Sequence, residues 1–128
     1  MKKLLSLITL PLFLSACQEN QVQLNGHAYK YELNGTPVLI AFDKNDNRYF
    51  GKVVNNYFGS YSQKDGNFTF YLAGSTMMMG PDKDMDSERQ WFQLLNQVTA
   101  VEKTQTDLIL KLEDGKTILL KRTNFPIE

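Results

Sequence analysis

The sequence predicts an α+β fold: a curved antiparallel β-meander of about seven to eight strands with one amphipathic helix packed on it. Three observations carry that expectation. Short runs alternating apolar and polar residues recur between Gly, Asn and Asp turn signals over residues 29–72. The period changes once, to a helical stripe between about residues 84 and 98. Two final apolar runs around Asp114-Gly115 then close the chain as a hairpin.

Tyr29, Tyr31 and Leu33 alternate with Lys30 and Glu32, and Asn34-Gly35 follows as a two-residue turn whose positions both tolerate positive φ. Pro37 to Phe42 is the returning strand, and Asp43 to Asn47 is a turn cluster. Arg48 to Val54 is a third strand with Gly51 as a candidate bulge, broken by Asn55-Asn56. Tyr57 to Gln63 and Asn67 to Leu72 flank Asp65-Gly66 as strands four and five. The acids Asp82, Asp84, Asp86 and Glu88 favour the positive end of a helix. Trp91, Leu94, Leu95 and Val98 fall at i, i+3, i+4 and i+7 on that helix. Thr99 to Lys103, Leu108 to Leu112 and Thr117 to Lys121 are the last strands, and the terminal NFPIE is expected to fray. The core expected is Trp91 or Phe92 with Leu95 and Val98, set against Leu39, Phe42, Phe68, Phe70, Leu110 and Leu112.

The first residues stand apart. Met1-Lys2-Lys3 is a basic start, and Leu4 to Leu14 is an apolar run too short to span about 30 Å of hydrocarbon as a helix. It has the form of a secretory signal. Leu14-Ser15-Ala16-Cys17 resembles the lipobox of bacterial lipoproteins: a branched apolar residue, two small residues, then the cysteine that receives the diacylglycerol. The expected organisation is a signal peptide over 1–16, the lipidated Cys17 with a polar tether through residue 25, and one folded domain over 26–128. Two or more acyl chains hold a protein stably on a bilayer, so the membrane is the first expected partner. In Gram-negative bacteria Asp after the cysteine resembles the inner-membrane retention signal. Gln18 stands there instead, so the expected location is the periplasmic face of the outer membrane.

The chain has 128 residues, 14 Lys+Arg against 14 Asp+Glu, one His and one Cys. Without a basic surplus to neutralise phosphates, no nucleic-acid partner is expected. A single cysteine excludes an intrachain disulfide and a cysteine zinc site.

Two stretches together carry a family resemblance. One is Gly51-Lys52-Val53-Val54-Asn55-Asn56-Tyr57-Phe58-Gly59-Ser60-Tyr61; the other is Thr76-Met77-Met78-Met79-Gly80-Pro81, followed by Glu88 and Leu94-Leu95. They resemble the META domain of the HslJ-like heat-shock lipoproteins, whose pattern is roughly G-x-x-x-C-N-x-x-x-G-x-Y, then T-x-M-x-C, then a helix with an early Glu. Gly51, Asn55, Gly59, Tyr61, Thr76, Met78 and Glu88 match; the two motif cysteines fall on Val54 and Gly80. The resemblance covers about residues 28–122 and implies a non-catalytic envelope lipoprotein linked to stress tolerance and novobiocin resistance. It implies no catalytic residues, cofactor or metal.

The remaining chemical signals have simpler structural explanations. Asp82-x-Asp84-x-Asp86-x-Glu88 lacks the Gly and Glu that an EF-hand loop needs at its sixth and twelfth positions, where Ser87 and Gln93 stand, so it reads as an acidic helix start. Met77-Met78-Met79 has thioethers that suit Cu(I), but with no His or Cys nearby it reads as adaptable core filler. His27 reads as a surface residue, and Val54 as a buried one. Asn55, Asn56, Tyr57, Phe58 and Tyr61 are the candidate recognition surface, since Tyr supplies contact area at low entropic cost. Such a surface would serve an envelope protein partner, and a small lipoprotein inhibitor or adaptor of an envelope or host enzyme is the alternative function.

Overall fold

The computed structural model describes residues 21–125. The expected signal peptide over 1–16 and the expected lipid-bearing Cys17 lie outside the described residues. Eight strands, β1 (Ala28–Leu33), β2 (Thr36–Phe42), β3 (Arg48–Lys52), β4 (Asn56–Lys64), β5 (Asn67–Ser75), β6 (Val98–Lys103), β7 (Asp107–Leu112) and β8 (Thr117–Thr123), form one antiparallel sheet in the order β5-β4-β3-β2-β1-β8-β7-β6. One helix, α1 (Asp82–Gln97), joins β5 to β6. The edge strands β5 and β6 approach each other without a shared ladder, so the sheet curls into a half-barrel. The expected α+β architecture is therefore the one observed.

Turn chemistry sets the registers. Asn34 and Gly35 adopt φ of 53° and 82°, and Asp65 and Gly66 adopt 55° and 82°, the doubly positive pattern of a tight hairpin turn. They fix Leu33 opposite Thr36 and Lys64 opposite Asn67. Antiparallel alternation then puts the β2–β3, β4–β5 and β6–β7 turns at one end of the half-barrel. The β1–β2, β3–β4 and β7–β8 turns lie at the other, where α1 lies across the opening.

The inside is aromatic. Tyr29, Phe42, Tyr49, Tyr57, Tyr61, Phe68, Phe70 and Trp91 are all buried, together with Leu95, Val98, Leu108, Leu110, Leu112 and Leu120. Edge-on contacts recur, such as Phe42–Tyr61 at 5.5 Å and Tyr49–Phe70 at 5.1 Å between centroids, while Tyr61 and Phe68 stack at 5.2 Å.

Several expectations are corrected. β3 ends at Lys52 rather than Val54, and β5 runs on to Ser75. Gly51 is not a bulge; the irregularity falls at Phe58/Gly59 in the β4–β5 pairing. Leu39 faces outward, because the continuous apolar run of β2 turns Val38, Ile40 and Phe42 inward instead. The tether does not extend through residue 25: Val22 packs on the core, Leu24 is fully buried, and the Asn25 amide donates to Asp43 O at 2.9 Å. Phe125, expected to fray, sets its ring edge-on to Phe50 at 5.8 Å.

Candidate functional site

The motif residues converge where the β3–β4 turn meets the start of α1. Asn55 is buried and uses both ends of its side chain. Its Nδ2 donates to Glu88 Oε1 at 3.0 Å and to Met78 O at 3.2 Å. Its Oδ1 accepts from Thr76 Oγ1 at 2.8 Å and from the Met78 backbone N–H. The β5–α1 loop is thus held by the Asn55 amide, together with the Asn56 backbone, which exchanges hydrogen bonds with Thr76.

Glu88 answers from the helix. It is 5% exposed, and its Oε2 accepts the backbone N–H of Asn55 at 2.7 Å and of Val54 at 3.2 Å. With the Asn55 amide on Oε1, the carboxylate has three donors. No ion pair to it occurs among the described residues. A buried carboxylate is tolerable only when hydrogen-bonded this way. The sequence held a signal for this: Glu88 lies on the same helical stripe as Trp91, Leu95 and Val98, an acid where only apolar residues belong.

A second set of contacts fixes α1 to the β1–β2 turn. The Thr36 hydroxyl donates to Asp84 Oδ1 at 2.9 Å and lies 3.0 Å from Ser87 Oγ, which donates to Leu33 O at 3.2 Å. Deeper in, the Tyr57 hydroxyl donates to Leu39 O at 2.7 Å and accepts the Trp91 indole N–H at 2.8 Å. Burial pushes the Tyr57 phenol far above its usual range, opposed by the Trp91 hydrogen bond. Burial likewise pushes Tyr49 up to about 12 and raises Tyr61.

The two motif glycines serve close approach. A Cβ on Gly51 would lie 2.1 Å from Leu39 O and 2.5 Å from the Tyr57 ring; one on Gly59 would lie 2.0 Å from Tyr71 O and 2.7 Å from the Tyr49 hydroxyl. Each glycine leaves the space that a buried tyrosine ring occupies on the neighbouring strand.

The five residues expected to form a recognition surface divide. Asn55, Tyr57 and Tyr61 point inward, while Asn56 and Phe58 face out, because successive residues of β4 alternate sides. Phe58, Phe50, Leu39 and Lys52 line a shallow outer groove of about 470 Å³. The methionines are not core filler: Met77, Met78 and Met79 are 94%, 55% and 86% exposed, because the loop between β5 and α1 has no element covering it. Val54 is half-buried rather than buried, and an ideal Cβ on Gly80 would lie 3.8 Å from its Cβ. The acidic run does not converge: Asp84 turns to Thr36, Asp86 pairs with Arg89 on the surface, and Glu88 turns inward. His27 is half-buried, with its Nε2 3.4 Å from Lys103 Nζ; burial first, then the charges of Arg122 and Lys103, lower its pKa.

Three solved structures share the fold. An NMR structure of a protein from Burkholderia xenovorans has a TM-score of 0.62 and 21% identity, covering 85% of this chain and 87% of that one. A second NMR structure has a TM-score of 0.59 and 20% identity over 79% of this chain and 95% of that one. A crystal structure of a DUF4847 family protein from Bacteroides vulgatus has a TM-score of 0.52 and 16% identity over 70% of this chain and 61% of that one. Among curated proteins no match is found. The META domain model matches residues 18–125, most of the chain. The hydrogen-bonded Asn55–Thr76–Met78–Glu88 cluster and the eight-stranded half-barrel thus belong to a member of the META domain family.

Proposed function

We propose that this protein is a non-catalytic, lipid-anchored module of the bacterial envelope, held on the outer membrane by acyl chains on Cys17 and acting in envelope stress tolerance, including tolerance of novobiocin-type antibiotics. One observation carries the non-catalytic part. The motif residues Asn55, Thr76, Met78 and Glu88 spend their hydrogen-bonding capacity on one another. A set of groups satisfied by one another, with its amide Asn55 and its carboxylate Glu88 buried, maintains a scaffold rather than turning over a substrate. The leader, the Leu14-Ser15-Ala16-Cys17 box and the family membership support the anchor and the stress role.

The test is a deletion strain complemented with the wild-type gene or with Cys17→Ala. Loss of the gene should raise sensitivity to heat and novobiocin, and Cys17→Ala should leave an uncleaved or soluble product. The anchor reading is wrong if the variant stays with membranes after a high-salt wash, which removes electrostatic association. Unchanged sensitivity on deletion would remove the stress role.

A second reading is an inhibitor or adaptor for an envelope or host enzyme. The exposed Met77 and Met79 favour it, since Asn55 clamps the backbone of Met78 between them and keeps them presented. Capture of one enzyme by the wild-type chain, lost with Met77→Gln/Met79→Gln, would favour this reading over the first.

A further inference from the structure

The described chain starts at one particular end of the half-barrel. Val22 N–H donates to Gln63 Oε1 and Val22 O accepts from Gln63 Nε2, each at 2.8 Å, so the N-terminal segment is tied to the far end of β4. Gln23 O accepts from Lys103 Nζ at 2.7 Å, at the end of β6. The Asn25 amide donates to Asp43 O and Asp46 O in the β2–β3 turn. All these partners lie on the rim formed by the β2–β3, β4–β5 and β6–β7 turns. The opposite end carries α1 and the exposed Met77–Met79 loop.

Two lengths decide what this means for an anchored chain. From Cys17 to Val22 there are five residue steps, at most ~18 Å when fully extended. β5 alone has nine residues, about 30 Å from the rim to the methionine loop. The lead is shorter than the molecule is tall, so the α1 end cannot turn down to the bilayer while the acyl chains remain inserted.

We propose that the turn-bearing rim is the membrane-facing surface of the protein, seated on the lipid headgroups, and that α1 and the Met77–Met79 loop face away from the bilayer. This rests on the lipid-anchor reading. The rim interleaves Lys44, Arg48, Lys64, Lys103, Lys121 and Arg122 with Asp43, Asp46, Asp65 and Asp107, six cations against four anions. That small basic surplus adds to the attraction of an anionic surface at low salt, but the short lead sets the orientation on its own, so the orientation persists at high salt and on neutral lipid.

The experiment uses the lipidated full-length protein in phosphatidylethanolamine/phosphatidylglycerol vesicles. Cys17 is the only native cysteine, and its sulfur carries the lipid, so a single introduced thiol takes a fluorophore selectively. Exposed Lys64→Cys and Gln105→Cys mark the rim; exposed Met79→Cys and Gln93→Cys mark the other end. Energy transfer to a headgroup-labelled lipid should be several-fold stronger from the rim pair, at low and high salt and in phosphatidylcholine vesicles alike. Inserting a flexible Gly/Ser stretch of about fifteen residues after Gln18 should shrink that contrast, because the lead then reaches past the molecule. If vesicles float with the protein but all four positions transfer equally, the orientation is overturned and the anchor stands. If the protein does not float with vesicles, the anchor reading fails and the orientation falls with it.

Discussion

Tyr49 and Tyr57 are both buried on the inner face and differ in what their hydroxyls touch. Tyr57 holds the Trp91 indole and the Leu39 carbonyl, whereas Tyr49 Oη is buried without a partner. Tyr57→Phe should therefore cost about 1–3 kcal/mol, since it strands the Trp91 N–H in the core. Tyr49→Phe should be neutral or slightly stabilising at pH 7, because it removes a polar atom that was giving nothing back. Thermal melts of the two variants check both, and equal losses would mean that the Tyr49 hydroxyl has a partner. The pH dependence follows from the same burial. With the folded phenol of Tyr49 at about 12 and the unfolded one near 10, its contribution is complete below pH 10 and is lost as pH rises from 10 toward 12. Tyr49→Phe should flatten the alkaline fall in melting temperature over that window. Val54 and Gly80 give a third residue-scale prediction. Their Cβ positions are 3.8 Å apart, the usual disulfide separation, so Val54→Cys/Gly80→Cys should close a bond on oxidation. It should stabilise by about 3 kcal/mol, while the wild-type melt stays indifferent to reductant.

Helix α1 is the element whose docking makes the half-barrel a closed unit. Trp91 and Leu95 are buried beneath it, and Phe92 meets Tyr57 edge-on at 5.3 Å. Leu95→Ala should cost about 2–5 kcal/mol. Gln93→Ala, on the exposed side, should change stability by less than about 0.5 kcal/mol, measured by denaturant unfolding of both. This helix was legible in the sequence because its stripe has one period, and the hairpin at Asn34-Gly35 was legible because few residues tolerate its backbone. Other elements gave no such signal. Val22 and Leu24 sit in a polar run too short to show a period, and only their contacts reveal them as part of the domain. The run Val38 to Phe42 is apolar throughout, so its inward parity emerges only from pairing with β1 and β3. Asn55 read as a turn former, and its side-chain network with Glu88 depends on a helix 33 residues away in sequence. The methionine triplet has the composition of a core segment and the position of an uncovered loop, and position prevails.

At the scale of the molecule, the first and last of the described strands meet in the middle of the sheet. β1, first in sequence, lies between β2 and β8, and β8 is the last strand described. Ala28 faces Thr123 across that seam, a separation of nearly the whole domain. Such non-local pairing predicts slow folding for this size. It also predicts that deleting Thr117–Glu128 destroys the fold rather than trimming it, since β1 then has an open edge and β6–β7 lose the ladder that joins them to β1. Circular dichroism of the truncated chain should show no cooperative melt; a cooperative one would mean that the β1–β5 meander is self-sufficient. The seam has a bearing on biosynthesis as well. A polypeptide delivered N-terminus first, from a ribosome or a translocation pore, keeps its centre strand β1 half-paired until β8 arrives. Closing the seam therefore acts as a check on β8: a product terminated or clipped before that strand registers as an unfolded chain open to proteases.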